Sequence, residues 1–78
     1  MTTKVYITFG QIHVHKVGKH TLDKDCVAVI KADSYTEGRE LAMKWFDGVF
    51  HNSYSQEEWD NKWKEILDYF PRGLIEIN

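Results

Sequence analysis

The sequence predicts an α+β domain: a small, mainly antiparallel sheet of three to four strands with two helices packed on one face, in the order β-β-α-(β)-α-β. Three observations carry this. Val5, Ile7 and Phe9 alternate with Tyr6 and Thr8, the period of a half-buried strand. "CVAVI" is an unbroken apolar run of five residues rich in β-branched side chains. Two Ser-x-x-Glu patterns each open a segment whose apolar residues recur at helical spacing.

The first strand carries a change of phase. Its apolar positions are odd-numbered up to Phe9 and even-numbered at Ile12 and Val14. A bulge at Gly10-Gln11 would keep both sets on the core side and leave His13 and His15 together on the opposite face. "KVGKHTLDKD" is a polar connection long enough for a hairpin loop, with Gly18 inside it. "CVAVIKA" reads as a central strand covered on both faces.

Ser34 with Glu37 fits a capping box, followed by a stripe of Tyr35, Gly38, Ala42, Trp45, Phe46 and Val49. Asp47-Gly48 is the expected stop. "VFHNSY" permits a short strand, though Asn52-Ser53 weakens it. Ser55 with Glu58 repeats the capping box and opens a second helix over residues 56–69, with Trp59, Trp63, Ile66, Leu67 and Phe70 as its stripe. Pro71 and Gly73 end it, and "LIEI" closes the chain as a strand.

The totals bound what such a chain can be. Seventy-eight residues make a single domain, residues 1–78, with one core. Three Trp, four Tyr and four Phe supply much of that core, at about 150–250 Å² buried apiece. They would crowd it if all were inside, so some are expected at a groove or at a homodimer interface. A net charge of −2, from 10 basic and 12 acidic residues, argues against non-specific DNA binding, which needs a basic footprint. The lone Cys26 excludes an intrachain disulfide and a cysteine-rich zinc site. No apolar run approaches the roughly 20 residues of a membrane span, and the N-terminus lacks a signal-peptide pattern. The expectation is a soluble, cytoplasmic protein.

Candidate chemistry gathers in three places. His13 and His15 are two apart on a strand, so they point the same way, roughly 6.5–7 Å apart. With Asp25, or alternatively His20, Asp23 or Cys26, as a third ligand they would suit a metal ion. Such spacing also recurs by chance, and solvent-facing histidines are its commoner outcome. Between these lies a recognition surface whose imidazoles contact phosphate. Arg72, held between Pro71 and Gly73, suits phosphate or carboxylate recognition, against the plainer reading of a turn residue. Trp59 or Tyr54 could stack on a base. Asp23 and Asp25 fit ordinary turn chemistry, and Cys26 fits a small core residue. No phosphate-cradling glycine loop, G-x-S-x-G or H-E-x-x-H is present, so no catalytic residue and no cofactor are assigned.

"VYITFGQIHVH", "DKDCVAVIKA" and "YFPRGLIEI", in that order, resemble a group of small bacteriophage proteins with a TFG strand, a DCVAVI-like strand, a helix and a closing PRGL element. The resemblance spans nearly the whole chain, and residues 47–67 match least. It implies a phage gene product acting in a bacterial cell by binding a host factor, including in a counter-defence role, and carries no catalytic residue. The expected function is therefore binding. The partner would be a host protein or a nucleotide-type ligand held by His13, His15, Arg72, Trp59 and Tyr54. The alternatives are a metal-assisted hydrolase or nuclease using His13, His15 and Asp25, and a structural phage protein.

Overall fold

The apolar run at residues 26–30 becomes the strand against which everything else is laid. The computed structural model describes residues 2–10, 14–48 and 50–78. Its elements are β1 (Thr3–Thr8), β2 (His15–Val17), β3 (His20–Leu22), β4 (Cys26–Ala32), α1 (Tyr35–Trp45), β5 (Asn52–Tyr54), α2 (Gln56–Leu67) and β6 (Gly73–Glu76). The main sheet has the strand order β5-β1-β4-β6, and β2 and β3 form a separate two-stranded sheet. β1 pairs antiparallel with both β4 and β5, whereas β6 joins β4 in parallel. The α+β class and the mainly antiparallel sheet are those the sequence predicts, and 52–54 is a strand. The order agrees only roughly, because β2 and β3 form a hairpin of their own where the sequence predicts the end of the first strand and a polar connection.

The register sorts the side chains into two cores. Val5 lies opposite Ile30 and Ile7 opposite Ala28, while Tyr6 lies opposite Val29. Val5, Ile7, Ala28 and Ile30 pack with Ala42 and Phe46 of α1 and with Leu22 of β3. Tyr6, Val27 and Val29 pack with Trp59 and, around it, Ile66, Leu67 and Phe70. The helices therefore lie on opposite faces of the sheet, and the expectation that both share one face is corrected. The reason is in β4 itself. A strand apolar on both faces must be covered on both, and α1 with the β2–β3 hairpin covers one while α2 covers the other.

The first strand also differs from expectation. β1 stops at Thr8, and the next described strand begins at His15 in the other sheet. The change of phase thus coincides with the chain leaving the main sheet. Val14, expected to face the core, is 62% exposed. Gln11, on which the bulge rested, lies outside the described residues with Ile12 and His13. β2 and β3 are joined through Gly18-Lys19, with Val17 paired to His20 and Gly18 at φ +59°. A positive φ at the first central residue is what a type II′ hairpin turn requires.

Both helices start at the serine their sequences specify, α1 with half of the expected capping box and α2 with all of it. Ser34 accepts from the Glu37 N–H at 3.1 Å. At α2 the box is complete: Glu58 N–H donates to Ser55 Oγ at 3.2 Å, and Ser55 N–H donates to Glu58 Oε1 at 3.1 Å. The Ser55 N–H, and after it the Ser55 hydroxyl, hold the Glu58 carboxyl below its ordinary range. α1 ends with Asp47 at φ +51° and a Gly48 N–H bond to the Met43 carbonyl at 3.0 Å, the long bond of a Schellman motif. α2 is anchored by Trp59, whose ring stacks on Tyr6 with centroids 4.5 Å apart and planes 7° from parallel.

Gly38 explains itself here. A Cβ at this position would clash with Val5 Cγ2 and sit 3.0 Å from Val5 Cβ, so a missing side chain sets how closely α1 approaches β1. Gly38→Ala is expected to destabilise the fold. The overpacking penalty of about 1–3 kcal/mol outweighs the gain in helix propensity of up to about 1 kcal/mol. Denaturant midpoints would check this; an unchanged or higher midpoint would mean that the contact is not tight.

A second expectation concerns alkaline pH. Burial first, then Asp60 and Glu76, pushes the Tyr6 phenol above its ordinary value of 10.0. The native state then holds this proton more tightly than the unfolded chain does. The resulting stabilisation is complete below pH 10.0 and is lost as pH rises through the higher folded value. In stability measurements across that range, Tyr6→Phe should flatten the decline while keeping the stacked ring. Parallel curves would remove Tyr6 as the cause.

Candidate functional site

The end of the sheet where β1 stops and β4 begins is also where α2 gives way to β6. Three short ties bring these segments together. His51 N–H donates to the Thr8 carbonyl at 2.8 Å, Arg72 N–H donates to the Asp25 carbonyl at 2.8 Å, and Gly73 N–H closes a turn on the Phe70 carbonyl at 2.9 Å. Pro71 at the second position and Gly73 at the fourth are the residues a type I turn favours. The turn leaves Tyr69 and Phe70 projecting at the helix exit, beside the end of β1.

Two adjoining cavities open there. One, of about 330 Å³, is lined by Thr8, Tyr54, Glu65, Ile66 and the shared wall of His51, Tyr69 and Phe70. The other, of about 360 Å³, lies on the far side of that wall, against Phe9, Gly10, Lys24 and Asp25. Both are open and shallow, with aromatic walls and a few polar groups, the composition usual for small-molecule sites. Tyr69 is 79% exposed, an aromatic the core did not absorb.

Thr8 sets this end apart. It sits on the α2 face with Tyr6, opposite Val27 of β4 and Asn52 of β5, and is 2% exposed. Its hydroxyl is the one buried side-chain polar atom without a hydrogen-bond partner among the described residues. Leaving such a group unpaired costs about 1–3 kcal/mol.

The residues singled out by sequence disperse. His13 lies outside the described residues. His15 is not on the face away from the core: its half-buried ring packs 5.5 Å from Phe9 and 5.3 Å from Phe46. It closes the hairpin over the α1 core, which corrects its placement on a solvent face. Trp59 is 4% exposed and stacked on Tyr6, so it holds the helix down and offers no ring to a ligand. Trp45 is half-buried against the α1 core, and Trp63 is the exposed tryptophan, in a surface groove with Leu67, Phe70 and Pro71. Tyr54 does reach the site; its ring lies 6.3 Å from Trp59, and its hydroxyl accepts from Asn52 Nδ2 at 3.0 Å.

Arg72 is a turn residue with an engaged guanidinium. Its Nη1 lies 3.1 Å from Asp23 Oδ1, which also accepts from the Asp25 N–H at 3.0 Å. This ties the closing turn to the loop before β4. The Asp25 carboxylate is taken by Lys24 at 3.2 Å. No group of three or more metal-ligating side chains occurs among the described residues. Cys26 is fully buried, and burial pushes its thiol up, against the smaller opposing pull of the Asp23 backbone and Arg72. A protonated, enclosed thiol is a core group.

Sequence reasoning passed over Thr8, His51, Glu65, Tyr69 and Phe70. One signal was available: "YFPRG" places two aromatics directly before a helix-stopping turn, where both cannot be buried. Comparisons with protein-family models, curated proteins and solved structures find no match to this chain. Among the described residues no helix is long and apolar enough to cross a membrane.

Thr8→Val keeps the shape and removes the orphaned hydroxyl. It is expected to raise unfolding stability by about 1 kcal/mol, at the low end of the desolvation penalty. Equilibrium denaturation would show it; a loss of stability would mean that the hydroxyl is already satisfied in solution.

Proposed function

We propose that this chain is a non-catalytic binding module whose site is the aromatic groove around Thr8, His51 and Tyr69. The observation that carries the reading is the Thr8 hydroxyl, buried and unpartnered at the edge of a cavity with aromatic walls. A bound molecule that reached this hydroxyl would recover the energy it forfeits in the free protein. The reading moves the site away from His13, His15 and Arg72. It also disfavours phosphate as the recognised group, because the Arg72 guanidinium and the Lys24 ammonium each already face a carboxylate.

The setting we propose is that implied by the resemblance to small bacteriophage proteins: an accessory or counter-defence factor in the host cytoplasm. There, a protein that binds without turnover acts by sequestration, lowering the free concentration of its ligand. The groove's small volume supports a small ligand ahead of a protein target.

The test is a thermal-shift panel of neutral, cationic and anionic ring compounds, nucleosides and nucleotides among them. Binding to the native state alone raises apparent stability by RT ln(1 + [L]/Kd). Active compounds should lose their effect in Tyr69→Ala and keep it in Arg72→Ala. A panel in which no compound moves the midpoint, or one in which Arg72→Ala abolishes the response and Tyr69→Ala does not, overturns the reading.

A further inference from the structure

We infer that the compartment beside Thr8 takes an organic cation, an alkyl- or arylammonium group, an inference that rests on the groove being a binding site. Tyr54, Tyr69 and Phe70 line one cavity, and aromatic faces attract cations through the ring quadrupole. Among the described residues Glu65 is the only carboxylate lining that compartment, and no Lys or Arg lines it. Across the shared wall, Lys24 is held by Asp25 at 3.2 Å, so its charge is offset where it stands.

The backbone adds in the same direction. α2 ends at Leu67 with Asp68 as its cap, and Glu65 and Ile66, in its last turn, line the cavity. The C-terminus of a helix carries partial negative charge, favouring cations and opposing phosphate or carboxylate ligands. The Thr8 oxygen supplies the remaining element. A hydroxyl can accept a hydrogen bond, and an ammonium N–H is a donor that would fill its vacancy. Aromatic walls, one exposed carboxylate, a helix C-terminus and an unpartnered acceptor thus converge on a cavity of about 330 Å³. That is room for an ammonium group with an attached alkyl or aryl body.

Calorimetric titration with benzylamine, benzyltrimethylammonium and the neutral benzyl alcohol tests this on the full chain. Both cations should bind roughly tenfold or more tightly than the alcohol, the scale of several partly exposed cation–π contacts. Glu65→Gln should weaken both cations and flatten their salt dependence, since an exposed carboxylate acts through a screened field. Thr8→Val should weaken benzylamine, which can donate to the hydroxyl, and leave benzyltrimethylammonium nearly unchanged. Should the alcohol bind as tightly as the cations, or a benzyl phosphate bind better, the cation assignment is overturned while the groove stands as a binding site. If none of the four binds, the cation assignment falls. The broader panel of neutral and anionic rings then decides whether the groove itself falls with it.

Discussion

The double-sided burial of β4 is the constraint on which the rest depends. Cys26 through Ile30 have essentially no exposed surface, and alternate residues point to opposite faces. Each face must therefore meet its own apolar layer. α1 supplies one by coming close enough that position 38 has no room for a methyl group. An eleven-residue helix is only about 16 Å long at 1.5 Å per residue, so the β2–β3 hairpin completes that side with Leu22 and the ring of His15. α2 supplies the other face through Trp59 on Tyr6.

The same constraint creates the groove. α2 lies against β1 and β5, yet the chain must still return to pair β6 in parallel beside β4, on the far edge. The return is made in one tight turn, locked by Arg72 to Asp23 and Asp25. A turn this short cannot bury both aromatics that precede it. Phe70 is half-buried against the α2-side core, and Tyr69 is left in solvent. The Arg72–Asp23 pair is partly exposed and contributes little energy by itself. The turn that carries the two rings is held by the backbone bonds from the Arg72 N–H to the Asp25 carbonyl and from the Gly73 N–H to the Phe70 carbonyl, which do not depend on the Arg72 side chain.

The legible parts of the fold were those specified locally. Capping residues, the Asp47-Gly48 stop and the apolar run of β4 act on their own backbone, and each sits where its sequence pattern puts it. The relative placement of the helices was not local. It follows from comparing two patterns, the two-faced apolarity of β4 and the number of layers it demands, and a one-face arrangement contradicts the first. The histidines misled for a similar reason. Two-residue spacing defines a shared face only within one continuous strand, and the chain leaves the main sheet between Thr8 and His15. Arg72 was read as an available cation because sequence shows the turn that holds it but not the carboxylate across the fold. Of these residues Tyr54 lines the cavity beside Thr8, placed there by the short strand that pairs with β1.

Thr8 was illegible because its strand position is unremarkable; a Thr between apolar residues reads as a good β-former. Its meaning comes from what covers it. Tyr6, two residues earlier on the same face, is sealed by Trp59 in the first turn of α2. Thr8 meets the last turn, where the helix is about to depart and offers Ile66 and the start of the aromatic wall but no donor or acceptor. A Val here would satisfy every local rule: strand propensity, burial and polar pairing. Sequences agree with their fold at most positions, and departures that lower stability concentrate where something other than stability is served. Here the departure coincides with the exposed Tyr69, the exposed carboxylate of Glu65 and the end of α2. Each of these is unremarkable by itself, but together they place an unpaired hydroxyl at the edge of a mainly apolar recess bordered by one carboxylate.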